Sequence, residues 1–267
     1  MTDAHPIITL TTDFGLDDPY VGVMKGVILQ ICPTCHLVDL AHTLSQGDVL
    51  RASFALRAAL EYFPQGTVHL VVVDPGVGSA RHPVAVHGRG MYFVGPDNGL
   101  FWFLADDDPP PRVVTIQNRA YVLPRTSSTF HGRDIFAPVA AYLARGVRLE
   151  ELGPPLRTVV RLDLPRPQRI SSHRIGGAVI YVDHFGNCIS NIAPEELGID
   201  LTRGSWTVRC DAGQLPVRRF YSEVDAGTPL AVIGSSGHVE LSVRDGSAAL
   251  QLDLGPGAPF VIERLDG

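Results

Sequence analysis

Short apolar runs and helically spaced apolar positions alternate through the first 164 residues. Residues 7–12, 36–40 and 68–73 read as strands. In Leu70-Val71-Val72-Val73, four consecutive apolar residues are bounded by turn signals, the pattern of a strand buried on both faces. Residues 19–31 and 47–63 read as helices, the second from the stripe Ala52, Ala55, Leu56, Ala59 and Leu60. Strands at 83–87 and 91–94 flank Gly88-Arg89-Gly90, a short helix begins over 101–104, and 106–111 is a solvated loop. A strand at 112–117 precedes a helix from about 134 to 145. This alternation predicts an α/β N-terminal domain: a mostly parallel sheet covered by helices on both faces.

The pattern changes after Leu164-Pro165-Arg166-Pro167-Gln168-Arg169. Strands are expected at 174–182, 205–210, 229–233, 238–243, 248–254 and 259–263, with only Pro194-Glu195-Glu196-Leu197 helical. A smaller antiparallel β C-terminal domain follows. The expected division is an N-terminal domain at 1–164, a linker at 165–171 and a C-terminal domain at 172–267.

At 267 residues, 45% hydrophobic and 19% charged, the chain has the composition of a globular protein able to bury a core. A net charge of −6 gives no basic footprint for nucleic acid. No apolar run reaches the ~18 residues a membrane helix needs. The opening Met1-Thr2-Asp3-Ala4-His5-Pro6 lacks the basic and apolar regions of a secretion signal, so a cytoplasmic protein is expected. Cys32-Pro33-Thr34-Cys35 is a CxxC, but it follows a helix instead of opening one, and Cys188 and Cys210 supply no second pair. Small buried apolar residues, not a zinc or redox centre, are expected there.

Three apolar runs end on an acid followed by a glycine: at Asp13-Phe14-Gly15, Asp74-Pro75-Gly76 and Asp183-His184-Phe185-Gly186. Ligands of open α/β sheets bind beyond the carboxyl ends of the strands. Familiar motifs fail on inspection. His131-Gly132-Arg133-Asp134 follows Asp13-Phe14-Gly15, the reverse of the order in a kinase. Gly76-Val77-Gly78 has Arg81 where a dinucleotide loop needs its third glycine. No P-loop and no Gly-x-Ser-x-Gly elbow occur.

Asp74, Arg81 and His131 remain as a constellation with a definite use. Histidine titrates near neutrality, an adjacent arginine disfavours imidazolium and holds a water or nascent hydroxide, and the carboxylate orients both. Such a trio suits activation of water without a metal. The plainer alternative has Thr129 or Asp134 capping the helix, with His131 solvated and Arg81 an ordinary loop cation.

Thr12-Asp13-Phe14-Gly15, Val73-Asp74-Pro75-Gly76-Val77-Gly78, Gly95-Pro96-Asp97-Asn98-Gly99, Phe130-His131-Gly132-Arg133-Asp134 and Asp183-x-Phe185-Gly186-Asn187 occur in that order along nearly the whole chain. In these motifs the chain resembles the S-adenosylmethionine hydroxide adenosyltransferases, relatives of the fluorinating and chlorinating enzymes. The resemblance implies two domains, a homotrimer, and a ligand bound between one subunit's N-terminal domain and its neighbour's C-terminal domain. It implies that water or hydroxide attacks ribose C5′ and displaces methionine, giving adenosine. Asp74, Arg81 and His131 fall at the water-activating positions and Asp13 at the ribose hydroxyls. Asp183 falls at the methionine ammonium, and Phe185, in the same motif, at a substrate-binding position. Asn187 falls at the adenine edge, Ser235 and Ser236 near the methionine carboxylate, and Glu240 is a weaker substrate-binding assignment. No metal or cofactor is implied, S-adenosylmethionine being the substrate, and adenosine is a candidate to co-purify.

The halogenating relatives carry Tyr and Thr where this chain has Asp74 and Val77, and Ser where it has Gly132. Asp74 repels an incoming halide through like charge. Two other readings stay open on sequence alone: a protein that binds or senses adenosine or S-adenosylmethionine with incidental turnover, and a nucleosidase releasing adenine.

Overall fold

The computed structural model describes residues 5–265 apart from 126, 196 and 202. They form two compact units, 1–162 and 163–267. Unit one holds β1 (Ile7–Thr12), α1 (Tyr20–Ile31), β2 (His36–Ala41), α2 (Val49–Ala59), β3 (Val68–Val72), β4 (Pro83–Gly88), β5 (Met91–Pro96), β6 (Arg112–Thr115), α3 (Ala137–Ala144) and β7 (Pro155–Leu156). Its seven strands form one sheet in the order β2-β1-β3-β5-β4-β6-β7.

Only half of this sheet is parallel, which corrects the expectation of a mostly parallel one. β2, β1, β3 and β5 run parallel, whereas β4, β6 and β7 pair antiparallel. The reversal is local chemistry: Arg89 and Gly90 join β4 to β5 with φ of 51° and 72°. Two left-handed residues in a two-residue loop match the twist of a hairpin. The alternation of side chains then fills two cores. Leu70, Val72 and Ala85 pack with Met24 and Ile28 of α1 and Val139 of α3. Val71, Val73, Val84 and Val86 pack with Ala52 and Leu56 of α2. Both faces are therefore covered, as the unbroken apolar run at 70–73 requires.

Unit two holds β8 (Gln168–Ser171), β9 (Arg174–Val182), β10 (Cys188–Ser190), β11 (Ser205–Cys210), β12 (Gly213–Pro216), β13 (Pro229–Ile233), β14 (Val239–Val243), α4 (Ala248–Gln251) and β15 (Pro259–Leu265). The order β12-β11-β15-β9-β10-β14-β13 is antiparallel throughout, and a bridge between Val217 and Ala231 nearly closes it. Ile175, Val208, Leu241 and Ile262 are among its core residues.

Several expected elements differ. Residues 248–254 were expected as a strand, but Ser247 accepts a hydrogen bond from Leu250 N and caps the short helix α4 there. The expected linker at 165–171 contains β8, paired with β9. The helix expected at 47–63 is α-helical only to Ala59, followed by a 3-10 turn. At 194–197, where Glu196 lies outside the described residues, Leu197 N donates to Ala193 O and Pro194 O in a single turn. Cys32 ends α1 and is buried with Cys35, whose thiol is pushed up to about 11 by burial and by Cys32. That is an inert pair, not a reactive one.

Candidate active site

β1 and β3 are parallel neighbours, so Asp13 and Asp74 emerge at the same end of the sheet. They line one cavity of about 640 Å³ with Phe14, Gly47, Phe130 and His131. The loop after Asp74 turns through Gly78, whose φ is 78° and where an added Cβ would come within 2.8 Å of Ser128 O. Glycine thus lets this loop lie against the one carrying His131. Asn98, from the turn after β5, donates to Val73 O at 2.9 Å and braces the residue before Asp74.

The loop returns Arg81 to Asp74. Arg81 Nε donates to Asp74 Oδ1 at 3.0 Å and Nη2 to Oδ2, and Nη2 also lies 2.8 Å from His131 Nδ1. The two charged side chains are 9% and 5% exposed. The guanidinium also lies over the Phe136 ring, 5.3 Å from its centroid. Arginine has no acceptor, so this contact makes Nδ1 of His131 the acceptor and places the neutral imidazole's proton on Nε2. Burial and the Arg81 charge lower the His131 pKa, against the opposing charges of Asp74 and Asp134. The imidazole therefore enters neutral pH uncharged, as a donor through Nε2.

His131 sits at the head of a π-turn, Gly132–Phe136, that leads into α3. Such turns recur at functional sites. Asp134 is fully buried and binds the segment together, accepting from Ser127 N at 2.6 Å and from Arg133 Nε at 2.5 Å. Burial pushes its carboxyl up, but the Arg133 and Ser127 bonds outweigh this and hold it below the usual range. The helix was expected from about 134, yet it starts on Gly132, where an added Cβ would meet Met24 Sδ at 3.2 Å. Asp134 is a positioning group that pattern reading left as a possible cap; its place three residues after His131 was the available signal.

Asp13 is half-buried, and Gly47 N donates to its Oδ2 at 2.8 Å. Phe14, Tyr20 and Phe130 pack edge to face around the same cavity. Gly47 was not anticipated, because it reaches Asp13 from another loop.

In unit two, the Asp183 carboxylate builds its own turn. Oδ1 accepts from Phe185 N at 2.9 Å and Asn187 N at 2.8 Å, and Oδ2 accepts from Asn187 Nδ2 at 2.9 Å. A carboxylate has about four acceptor positions, so one remains. Phe185 is 75% exposed. Glu240 is buried on β14 and accepts from Tyr221 O–H at 3.1 Å; burial and the Asp183 charge raise its pKa. The Ser236 hydroxyl is buried without a hydrogen-bond partner among the described residues, and Ser235 is exposed. Tyr221 was missed because nothing in a lone tyrosine marks the carboxylate nineteen residues on. Among the described residues no group of three or more His, Cys, Asp or Glu is placed to hold a metal ion, and no helix is long and apolar enough to cross a membrane.

Comparison with known proteins matches residues 8–153 to the SAM hydroxide adenosyltransferase N-terminal domain and residues 177–261 to its C-terminal domain. The chain is 44% identical over 267 residues to the (R)-S-adenosyl-L-methionine hydrolase of Thermus thermophilus, covering 96% of this chain and 98% of that one. It is 39% identical to the protein of the same name from Salinispora tropica, covering 94% and 95%. A fluorinase of Nocardia brasiliensis is 26% identical, with 95% of each chain covered. A crystal structure of an uncharacterized conserved protein from Thermotoga maritima superposes with a TM-score of 0.87 at 36% identity, covering 96% of this chain and all of that one. These matches span both units, and the chain belongs to the SAM hydroxide adenosyltransferase family.

Proposed function

We propose that this protein hydrolyses S-adenosyl-L-methionine, with water or hydroxide displacing methionine at ribose C5′ to give adenosine and L-methionine. The observation that carries the reading is the Asp74–Arg81–His131 contact set beside a cavity that Asp13 shares. The oxygen of water forms a bond to C5′ as the C5′–S bond breaks, and the electron pair goes to sulfur. The sulfonium leaves as a neutral thioether, so no acid is needed at the leaving group, and the water's proton passes to solvent. His131 Nε2–H and the guanidinium of Arg81 favour an oxygen bearing developing negative charge. Asp74 holds the arginine, and with Asp13 it gives the cavity an anionic lining suited to a sulfonium. The same charge opposes a halide nucleophile. Positioning water in line with C5′–S is then the main catalytic task. No step calls on a metal or cofactor.

The same reading assigns Asp13 to the ribose hydroxyls, Asp183 to the methionine ammonium, Asn187 to the adenine edge, Ser235 and Ser236 to the methionine carboxylate, and Phe185 and Glu240 to the substrate pocket. It takes the working form to be a cytoplasmic homotrimer, one subunit's N-terminal unit and its neighbour's C-terminal unit enclosing the ligand, with adenosine co-purifying. Four free cysteines are in keeping with a reducing compartment. The test is incubation of the protein with S-adenosylmethionine in ¹⁸O water containing a chelator, with products followed by mass spectrometry. Adenosine carrying one ¹⁸O, beside methionine, is the expected result. Free adenine would indicate a nucleosidase, and intact bound ligand a binding protein; either would overturn the hydrolase reading.

A further inference from the structure

Behind Asp13 runs a line of polar side chains that no step of the proposed reaction uses. Thr12 is fully buried at the end of β1, and its Oγ1 lies 2.8 Å from His42 Nδ1. His42 is 5% exposed, just beyond β2. Its Nε2 lies 3.0 Å from Asp39 Oδ1, in an approach bent away from a linear hydrogen bond. Lys25 Nζ donates to Asp39 Oδ2 at 2.6 Å. With the imidazole proton on Nε2 the line has one direction. Phe14 N–H reaches Thr12 Oγ1 at 3.3 Å, the Thr12 hydroxyl donates to His42, and His42 faces the carboxylate that Lys25 holds.

His42 also acts through its backbone. Its carbonyl accepts from Gly15 N at 2.8 Å. It opens the loop whose Gly47 N–H donates to Asp13 Oδ2 at 2.8 Å. Asp13 is thereby fixed at three points that all lead to His42: Thr12 before it, Gly15 after it, and its own carboxylate through Gly47. One oxygen of that carboxylate is tied down, and the other has no hydrogen-bond partner among the described residues. Both ring nitrogens of a buried histidine call for partners, and Thr12 and Asp39 face them; what sets His42 apart is that its contacts lead to both sides of a ligand-facing acid.

We propose that His42, oriented by Asp39 and Lys25, is the positioning residue that aims Asp13 at the ribose hydroxyls of the ligand. The proposal rests on reading Asp13 as the ribose-binding group.

The test compares binding of adenosine and of 2′,3′-dideoxyadenosine by calorimetry, for the native protein and for Asp13→Asn, His42→Asn, Thr12→Val, Thr12→Ser and the Asp13→Asn/His42→Asn double variant. The native protein is expected to prefer adenosine, and Asp13→Asn to lose that preference. His42→Asn and Thr12→Val are each expected to reduce it roughly tenfold or more, because misplacing a binding group by about 1 Å costs up to about 10²-fold. Dideoxyadenosine binding should hardly change, Thr12→Ser should keep the preference, and His42→Asn should add nothing in the Asp13→Asn background. If His42→Asn does not fold, Thr12→Val carries the same test with the histidine in place. Loss of the preference in Asp13→Asn but not in Thr12→Val or His42→Asn overturns the proposal and leaves the reading of Asp13 standing. So does equal weakening of both nucleosides. A preference untouched by Asp13→Asn itself overturns that reading, and the role of His42 with it.

Discussion

Replacing Asp74 by Asn keeps the outline of the side chain and removes its charge. In the native site Arg81 Nε donates to Asp74 Oδ1 at 3.0 Å while Nη2 donates to Oδ2. An amide retains one acceptor oxygen, so one of these bonds is lost. The guanidinium, 9% exposed, is then left without a compensating charge. A hydrogen bond to a charged group contributes about 1.5–3 kcal/mol, and an uncompensated buried charge costs about 3–5 kcal/mol. The two figures overlap because they describe the same missing carboxylate, so a destabilisation of about 3 kcal/mol is expected. Turnover should fall as well, because the arginine that loses its partner is the one 2.8 Å from His131. A shift of about 1 Å in a catalytic group is worth about 10²-fold. The pH profile adds a signed expectation. Protonating His131 at Nδ1 breaks its bond to Arg81, so activity has an acid limb at the depressed His131 pKa. Burial and Arg81 lower that pKa while Asp74 raises it. In Asp74→Asn the acid limb therefore moves to lower pH even as the maximum falls. Urea midpoints, with adenosine release measured by chromatography across pH 4–8, give all three quantities. Turnover within about threefold of native and an unmoved acid limb would refute the coupling of these residues.

Two further outcomes are expected. His69 is fully buried on β3, with Nδ1 2.8 Å from Thr9 Oγ1 and Nε2 3.3 Å from Met91 Sδ, and burial pulls its pKa from 6.5 to about 4. A folded-state value below the unfolded one means stability that is complete above pH 6.5 and is lost as pH falls toward 4. The gap corresponds to about 3 kcal/mol. Denaturant titrations of the native protein and of His69→Phe should differ in acid slope over that window, and equal slopes would remove this account. Specific activity should decline on dilution in step with loss of a trimer seen by light scattering, since a site shared between subunits disappears with the assembly; full activity in a monomer fraction would exclude the shared site.

Much of unit one was legible because its signals are local. The run at 70–73 announced a strand covered on both faces, and α2 on one side with α1 and α3 on the other are what cover it. The antiparallel half escaped because Arg89-Gly90 reverses the sheet through two positive φ angles, and arginine is not a residue that advertises that conformation. The strand expected at 248–254 failed for a related reason. Its apolar residues fit either period, and the Ser247 hydroxyl on Leu250 N decides for a helix.

The three strand–acid–glycine segments show where such reading stops. Each was read as a candidate ligand site beyond the end of a strand, and each acid does follow a strand end, after β1, β3 and β9. What the acid then does depends on the donor that faces it, and the donors lie at very different distances along the chain. Asn187, four residues on, ties Asp183 into its own turn. Arg81, seven residues on, was within reach of the pattern, and Asp74 is where the candidate chemistry was expected. Gly47, thirty-four residues away, holds Asp13 through a loop that His42 anchors, and no spacing rule points to it. A carboxylate's fate is legible when its donor is local and closed to inspection when the fold must bring the donor. The least legible of the three acids is thus the one whose surroundings carry the most untested structure, and for that reason His42 and Thr12 are where substitution will teach most about this site.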